Sequence, residues 1–82
     1  MKYPIFSIYD SVTRQYSIPA IHSNDAAAMR NFAEVFKDVF QPEDYSLYCI
    51  GEFDNENGTV SSIDSYVVCR ATDFVKGEKD NG

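Results

Sequence analysis

The stretch from Pro42 to Gly58, PEDYSLYCIGEFDNENG, constrains the fold more than any other part of the chain. It opens with a proline, which ends a preceding helix, and continues as a strand-like run from Tyr45 to Phe53. A polar turn follows and closes on Asn57-Gly58, a dipeptide that accepts positive φ easily. The pattern predicts a β-hairpin whose return strand is Thr59 to Ile63.

The N-terminal region predicts a further hairpin. The run from Tyr3 to Tyr9 is rich in aromatic and β-branched residues, and a polar connection separates it from a second run, Tyr16 to Ile21. Pro19 lies inside this second run and cannot donate a hydrogen bond to a neighbouring strand. The second strand is therefore expected at an edge of the sheet.

Between the hairpins, apolar residues repeat with the 3.6-residue period of a helix, from about Asn24 to Phe40. Ser23 or Asn24 is expected to cap its first turn. The side chains expected to pack against the sheet are Met29, Phe32, Phe36 and Phe40. The apolar sector is wider than contact with one small sheet needs, so the flank with Val35 and Val39 is expected to be covered by the C-terminal segment or by a second subunit.

Two hairpins joined by a helix predict an α+β fold of order β-β-α-β-β. The expected sheet is four-stranded and antiparallel, with strand order 2-1-3-4 and one amphipathic helix across one face. Residues 1–75 are expected to form this single domain and residues 76–82 a disordered polar tail. Residues 66–75 fit either a short strand or a helical turn. Since one helix covers one face, the other face is expected to be exposed and to mark an interaction site.

Composition and motifs exclude several classes of function. A formal net charge of −6 argues against affinity that depends on neutralising many phosphates. Cys49 and Cys69 lie in apolar surroundings without a C-x-x-C motif, which favours reduced core residues of a cytosolic protein over the alternative, a secreted form with one disulfide. The chain has no catalytic constellation, metal-ligand set or cofactor motif, so we expect neither an enzyme nor a cofactor. No apolar run is long enough to span a membrane.

Aromatic side chains on the sheet form the candidate functional surface. They could stack on unpaired bases, as in sheet-based readers of nucleic acid, or they could belong to the core or a dimer interface. The negative charge of the chain favours the second role, whereas a few arginines keep the first open. The candidate nucleic-acid or partner surface comprises Tyr3, Phe6, Tyr9, Arg14, Tyr16, Tyr48 and Arg70. The surplus apolar surface also predicts self-association, most simply as a homodimer.

Three motifs occur in a fixed order along the chain: I-Y-D-S at Ile8 to Ser11, N-D-A-A-A-x-R-x-F at Asn24 to Phe32, and P-E-D-Y-S-L-Y-C-I-G-E-F-D at Pro42 to Asp54. As a set they resemble the small nonstructural protein of gokushoviruses, single-stranded DNA phages of the microvirus group. This chain differs in a shorter link between helix and second hairpin. From Thr59 onward it matches no motif of that family.

The resemblance implies an accessory protein made in the host bacterial cytoplasm and absent from the mature virion. It implies a role in the switch from duplex replication to single-stranded DNA synthesis and packaging, which binding of single-stranded DNA would serve. The alternative is a protein–protein adaptor that contacts the phage replication initiator, the procapsid or a host factor. Among the shared positions, Gly51 is expected to allow a bulge or a close backbone approach in strand three.

Overall fold

The computed structural model describes residues 1–38 and 41–74. Its elements in chain order are β1 (Lys2–Asp10), β2 (Gln15–Tyr16), β3 (Ala20–Ile21), α1 (Asp25–Phe36), a 3-10 turn (Pro42–Asp44), β4 (Tyr45–Asp54), β5 (Thr59–Arg70) and a second 3-10 turn (Ala71–Phe74). This is a small α+β fold with one helix and an antiparallel sheet, as the sequence predicts. The predicted polar tail, residues 76–82, lies outside the described residues.

The sheet has the strand order β2-β1-β4-β5, and β3 also pairs with β1. The predicted second strand is therefore two short strands, and the sheet has five strands rather than four. The break lies at Ser17 to Pro19, because proline has no amide hydrogen for the ladder. Ser17 bridges the gap: its amide donates to the Ile8 carbonyl at 2.8 Å, and its hydroxyl accepts from the Ile8 amide at 2.9 Å.

The last strand is longer than predicted. It does not end at Ile63 but continues to Arg70, because Val67 pairs with Tyr48 and Cys69 pairs with Leu47 in the first half of β4. The serine-rich start of β5 hid this continuation in the sequence. The segment that fitted either strand or helical turn contains both, since the 3-10 turn follows directly after the strand.

The helix begins as predicted and ends earlier. Asn24 caps it, with Oδ1 accepting from the Ala27 amide at 2.8 Å. The helix ends at Phe36 rather than Phe40, and Val39 and Phe40 lie outside the described residues. Pro42 excludes helical geometry from the residue before it and starts a 3-10 turn, so the chain must leave the helix upstream.

The core lies between the helix and one face of the sheet. Its buried members are Phe6, Ala28, Phe32, Leu47, Cys49, Cys69 and Ala71. Met29 and Phe36 are half-buried at its border. Val35 is 61% exposed, so no described residue covers the predicted apolar flank of the helix. Both cysteines are free thiols in the core.

Two hairpin turns are stabilised in the same way, by an aspartate side chain that accepts hydrogen bonds from backbone amides of the turn. The carboxylate of Asp54 accepts from the amides of Glu56 and Asn57, and Gly58 closes the turn with φ of +70°. In the N-terminal turn, the carboxylate of Asp10 accepts from the Val12 amide at 2.9 Å, and Arg14 takes the left-handed position with φ of 61°. Asp side chains thus fix both turns by satisfying backbone amides.

Gly51 lies at a register shift of the β4–β5 ladder, as predicted for a bulge or close approach. A Cβ atom at this position would lie 2.9 Å from the carbonyl oxygen of Ser61, closer than real Cβ contacts allow. Glycine is therefore required here, because the Ser61 carbonyl cannot move away without breaking the hydrogen-bonded ladder.

Candidate functional site

The pairing register divides the strand residues between two faces, because cross-strand partners share a face and neighbours alternate. Phe6 pairs with Cys49, and both are in the core below the helix. The C-terminal 3-10 turn packs on this same side. We call the opposite side the open face. Its members include Tyr3, Ile5, Tyr9, Tyr16, Ile21, Tyr48, Phe53, Val60, Val67 and Arg70.

Three tyrosines from three strands meet on the open face and form the tyrosine cluster: Tyr9, Tyr16 and Tyr48. The ring centroids of Tyr9 and Tyr16 lie 4.8 Å apart. Tyr48 packs edge-to-face against both, at 6.2 Å from Tyr9 and 5.8 Å from Tyr16. Tyr16 is 52% exposed. Such mutual packing fixes the rings while leaving aromatic surface in solvent on which a planar group could stack.

An apolar groove of about 680 Å³ lies further along the open face. It is lined by Ile5, Pro19, Ile21, Ile50, Gly51, Val60, Ser61 and Ser62. The groove lies where Gly51 has no side chain and where the edge strand is interrupted before β3. Val60 is 70% exposed at the rim.

Charge is distributed unevenly between the faces. Through their pairing, Asp10, Glu52 and Asp54 lie on the helix-covered side. Arg70 pairs with Ser46, which in turn pairs with Tyr9, so Arg70 belongs to the open face. Among the strand residues whose pairing assigns them to the open face, Arg70 is the charged one. Asp64 lies in the irregular stretch of β5 between Ser62 and Tyr66, where the pairing assigns no face.

The predicted site residues are brought together in large part. Tyr3, Tyr9, Tyr16, Tyr48 and Arg70 all lie on the open face. The assignment of Phe6 to this surface is wrong, because its position alternates with that of its neighbours and turns the ring under the helix, where it is 2% exposed. Arg14 is exposed in the N-terminal turn, where no strand pairing assigns it to a face.

The aliphatic groove was not predicted. Alternation within each strand groups Ile50 with Tyr48 and Ile5 with Tyr9, and this signal was available in the sequence. The sequence marks Gly51 and Pro19 as irregular positions, but only the pairing with β1 shows that both lie beside Ile5.

Two groups with a raised pKa, Tyr66 and Cys69, lie on the helix-covered side. The Tyr66 hydroxyl donates to Oδ2 of Asp25 at 2.8 Å. Hydrogen bonding with the Cys49 thiol and with Asp25 raises the pKa of Tyr66. Burial raises the pKa of the Cys69 thiol to about 11. Both groups are therefore held protonated at neutral pH, the opposite of what a nucleophile needs.

Two kinds of feature are absent from the part of the chain that the structure describes. Within residues 1–38 and 41–74, His, Cys, Asp and Glu side chains form no group of three or more that could hold a metal ion. Over the same ranges, no helix has the length and apolar character needed to cross a membrane. The features that remain are the surfaces: the tyrosine cluster, the groove and the edges of the sheet.

Comparison with known proteins gives one result. Residues 3–74 match the family model described as Phage ORF5 protein. No curated protein and no solved structure matches the chain significantly. The family match covers the helix and all of the sheet except Lys2, so the residues of the open face named above all lie inside it. The chain belongs to the Phage ORF5 protein family.

Proposed function

We propose that this phage protein is a non-enzymatic accessory factor that binds single-stranded DNA through its open face. The observation that carries the proposal is the tyrosine cluster, held in fixed geometry on the face to which the strand pairing also assigns Arg70. Bases stacked on aromatic side chains contribute about 1–3 kcal/mol each, and stacking tolerates any sequence.

The proposed ligand is single-stranded DNA, because the stacked base pairs of a duplex cover the base faces on which the tyrosines would stack. Few phosphates are neutralised, since the basic residues of the site are Arg70 and, at the turn, Arg14. On a single strand each phosphate contact contributes about −0.7 to the slope of log K against log salt, so two contacts give about −1.4. Affinity should therefore be modest and only weakly dependent on salt.

The biological setting follows from the family and from the resemblance of the three motifs to the gokushovirus small nonstructural protein. The phages of that group package single-stranded DNA. We place the protein in the host bacterial cytoplasm, outside the mature virion, where it assists single-stranded DNA synthesis or packaging.

A matched pair of tyrosine substitutions tests the proposal. Tyr16 and Tyr66 are 52% and 43% exposed and lie on opposite faces of the sheet. In a fluorescence anisotropy titration with a labelled single-stranded oligonucleotide, Tyr16→Ala should weaken binding by about tenfold, equivalent to about 1.4 kcal/mol of lost stacking. Tyr66→Ala should bind as tightly as the wild type. Equal losses in both variants, or a preference for duplex, would contradict the proposal.

The adaptor function is the alternative outcome of the same titration. If single-stranded DNA does not bind even at low salt, the open face instead contacts a protein such as the replication initiator, the procapsid or a host factor. The net charge of −6 attracts a basic partner at a distance, through the field of the whole chain.

A further inference from the structure

The two hairpin turns have the same backbone hydrogen bond but end on different residues. In each turn, the carbonyl oxygen of the first aspartate accepts from the amide of the last residue. Gly58 donates to Asp54 at 2.8 Å, and Arg14 donates to Asp10 at 2.7 Å. The last residue has a positive φ in both turns, +70° at Gly58 and 61° at Arg14. Arg14 therefore occupies the position that a glycine fills in the other turn.

A left-handed backbone is unfavourable for arginine, because its Cβ crowds the following carbonyl oxygen, whereas glycine has no Cβ. In the described part of the chain, Arg14 is the one non-glycine residue with a positive φ. Its guanidinium forms no ion pair within residues 1–38 and 41–74. The Asp10 carboxylate of the same turn accepts instead from the amides of Val12 and Thr13. Backbone strain without a compensating internal contact points to a function for the strained residue.

Arg14 lies next to the tyrosine cluster along the chain. It directly precedes β2, and Tyr16 follows two residues later. Two residues of extended chain span at most about 7 Å, which an arginine side chain can also bridge. Arg14 is exposed, and Tyr16 is the exposed ring of the cluster. A phosphate next to a base stacked on Tyr16 is therefore within reach of a guanidinium, whose planar fork matches phosphate oxygens.

We propose that Arg14 binds a phosphate of the single strand that stacks on the tyrosine cluster, and that its left-handed position lowers the stability of the domain. This inference rests on the proposed function. It goes further because it assigns one phosphate contact to one residue and gives that residue two opposed effects. Replacing Arg14 by glycine weakens DNA binding and stabilises the fold, whereas loss of a purely structural residue would weaken both.

The salt dependence of binding tests the phosphate contact. One contact on a single strand contributes about −0.7 to the slope of log K against log salt, which is about fivefold in affinity over a tenfold range of salt. In anisotropy titrations with a labelled single-stranded oligonucleotide, Arg14→Gly should therefore raise the Kd about fivefold at about 0.1 M salt and approach the wild type near 1 M. Arg14→Lys keeps the charge and should keep the slope. Arg30→Ala removes one positive charge from the exposed side of α1 and should also keep it.

Thermal unfolding without DNA tests the strain. Arg14→Gly should raise the Tm by about 2–8 °C, since relief of the Cβ clash outweighs the greater freedom of glycine in the unfolded chain. Arg14→Lys retains the Cβ and should leave the Tm unchanged. Gly58→Arg is the reciprocal control and should lower the Tm. A Cβ at Gly58 has no atom within 4 Å, so this loss reports the backbone conformation alone.

The outcomes separate this inference from the proposed function. A wild type that does not bind the oligonucleotide would overturn both. If the wild type binds and Tyr16→Ala weakens binding, but Arg14→Gly keeps the wild-type affinity and slope, the inference is wrong and the proposed function stands. An equal loss of slope in Arg30→Ala would likewise show a general effect of charge rather than a contact at Arg14. A Tm of Arg14→Gly at or below that of the wild type would refute the effect on stability.

Discussion

Replacing Phe32 by alanine tests how the helix is held to the sheet. Phe32 is 1% exposed, and its ring centroid lies 4.7 Å from that of Phe36 and 6.3 Å from that of Phe74. The substitution removes a fully buried ring and leaves a cavity, which lowers the free energy of unfolding by about 3–5 kcal/mol. At about 0.05–0.15 kcal/mol per residue, the whole domain has about 4–12 kcal/mol. The variant therefore loses a quarter of its stability or more.

Thermal unfolding followed by circular dichroism gives the measurement. Each kcal/mol shifts the Tm of a domain of this size by about 4–8 °C, so Phe32→Ala should lower it by at least about 12 °C. Phe36→Ala is the matched control, since this ring is half-buried and should cost less. An unchanged Tm for Phe32→Ala, or a larger loss for Phe36→Ala, would refute the packing described for the helix.

Three further predictions concern the backbone and titration. Gly51→Ala should destabilise the domain by about 1–3 kcal/mol, because the new Cβ would meet the carbonyl oxygen of Ser61 at 2.9 Å; a urea midpoint equal to the wild type's would contradict this. Asn24→Ala should cost about 1 kcal/mol through loss of the helix cap, while Asn31→Ala, at an exposed helix position, should cost less in the same assay. The free energy of unfolding should fall as pH rises from 9 to about 11, because the unfolded Cys69 thiol loses its proton first, and Cys69→Ala should show a shallower fall.

The order of elements was predictable because each depends on local chemistry. The helix follows from its 3.6-residue period and from the cap at Asn24, and the second hairpin from its Asn57-Gly58 turn. The edge position of the second strand follows from Pro19. What could not be predicted depends on pairing between distant segments. The continuation of β5 past Ile63 is fixed by contact with β4, not by its own serine-rich sequence.

The candidate surface was predictable from the alternation of side chains along each strand. The prediction was wrong at one residue, Phe6. Alternation along β1 groups Tyr9 with Tyr3, and alternation along β4 sets Tyr48 opposite Cys49, but it says neither how the strands pair nor which face a helix will cover. Alternation along β1 places Phe6 on the opposite face from Tyr3 and Tyr9, so Phe6 does not belong with them in the exposed set. The groove further along the open face was missed because the sequence marks Gly51 and Pro19 as irregular positions without showing that strand pairing brings them to the same place.

The pairing of β1 with β4 has a consequence for how the protein is made. In the sequence, α1 lies between these two central strands. Lys2 therefore cannot pair with Asp54 until every intervening residue has been synthesised. At about 5–20 residues per second, the aromatic run from Tyr3 to Tyr9 waits a few seconds for its central partner. Meanwhile β2 and β3 offer it only four rungs. The yield of folded protein in a cell therefore depends on how this interval compares with the time that an unpaired apolar strand needs to find a wrong partner.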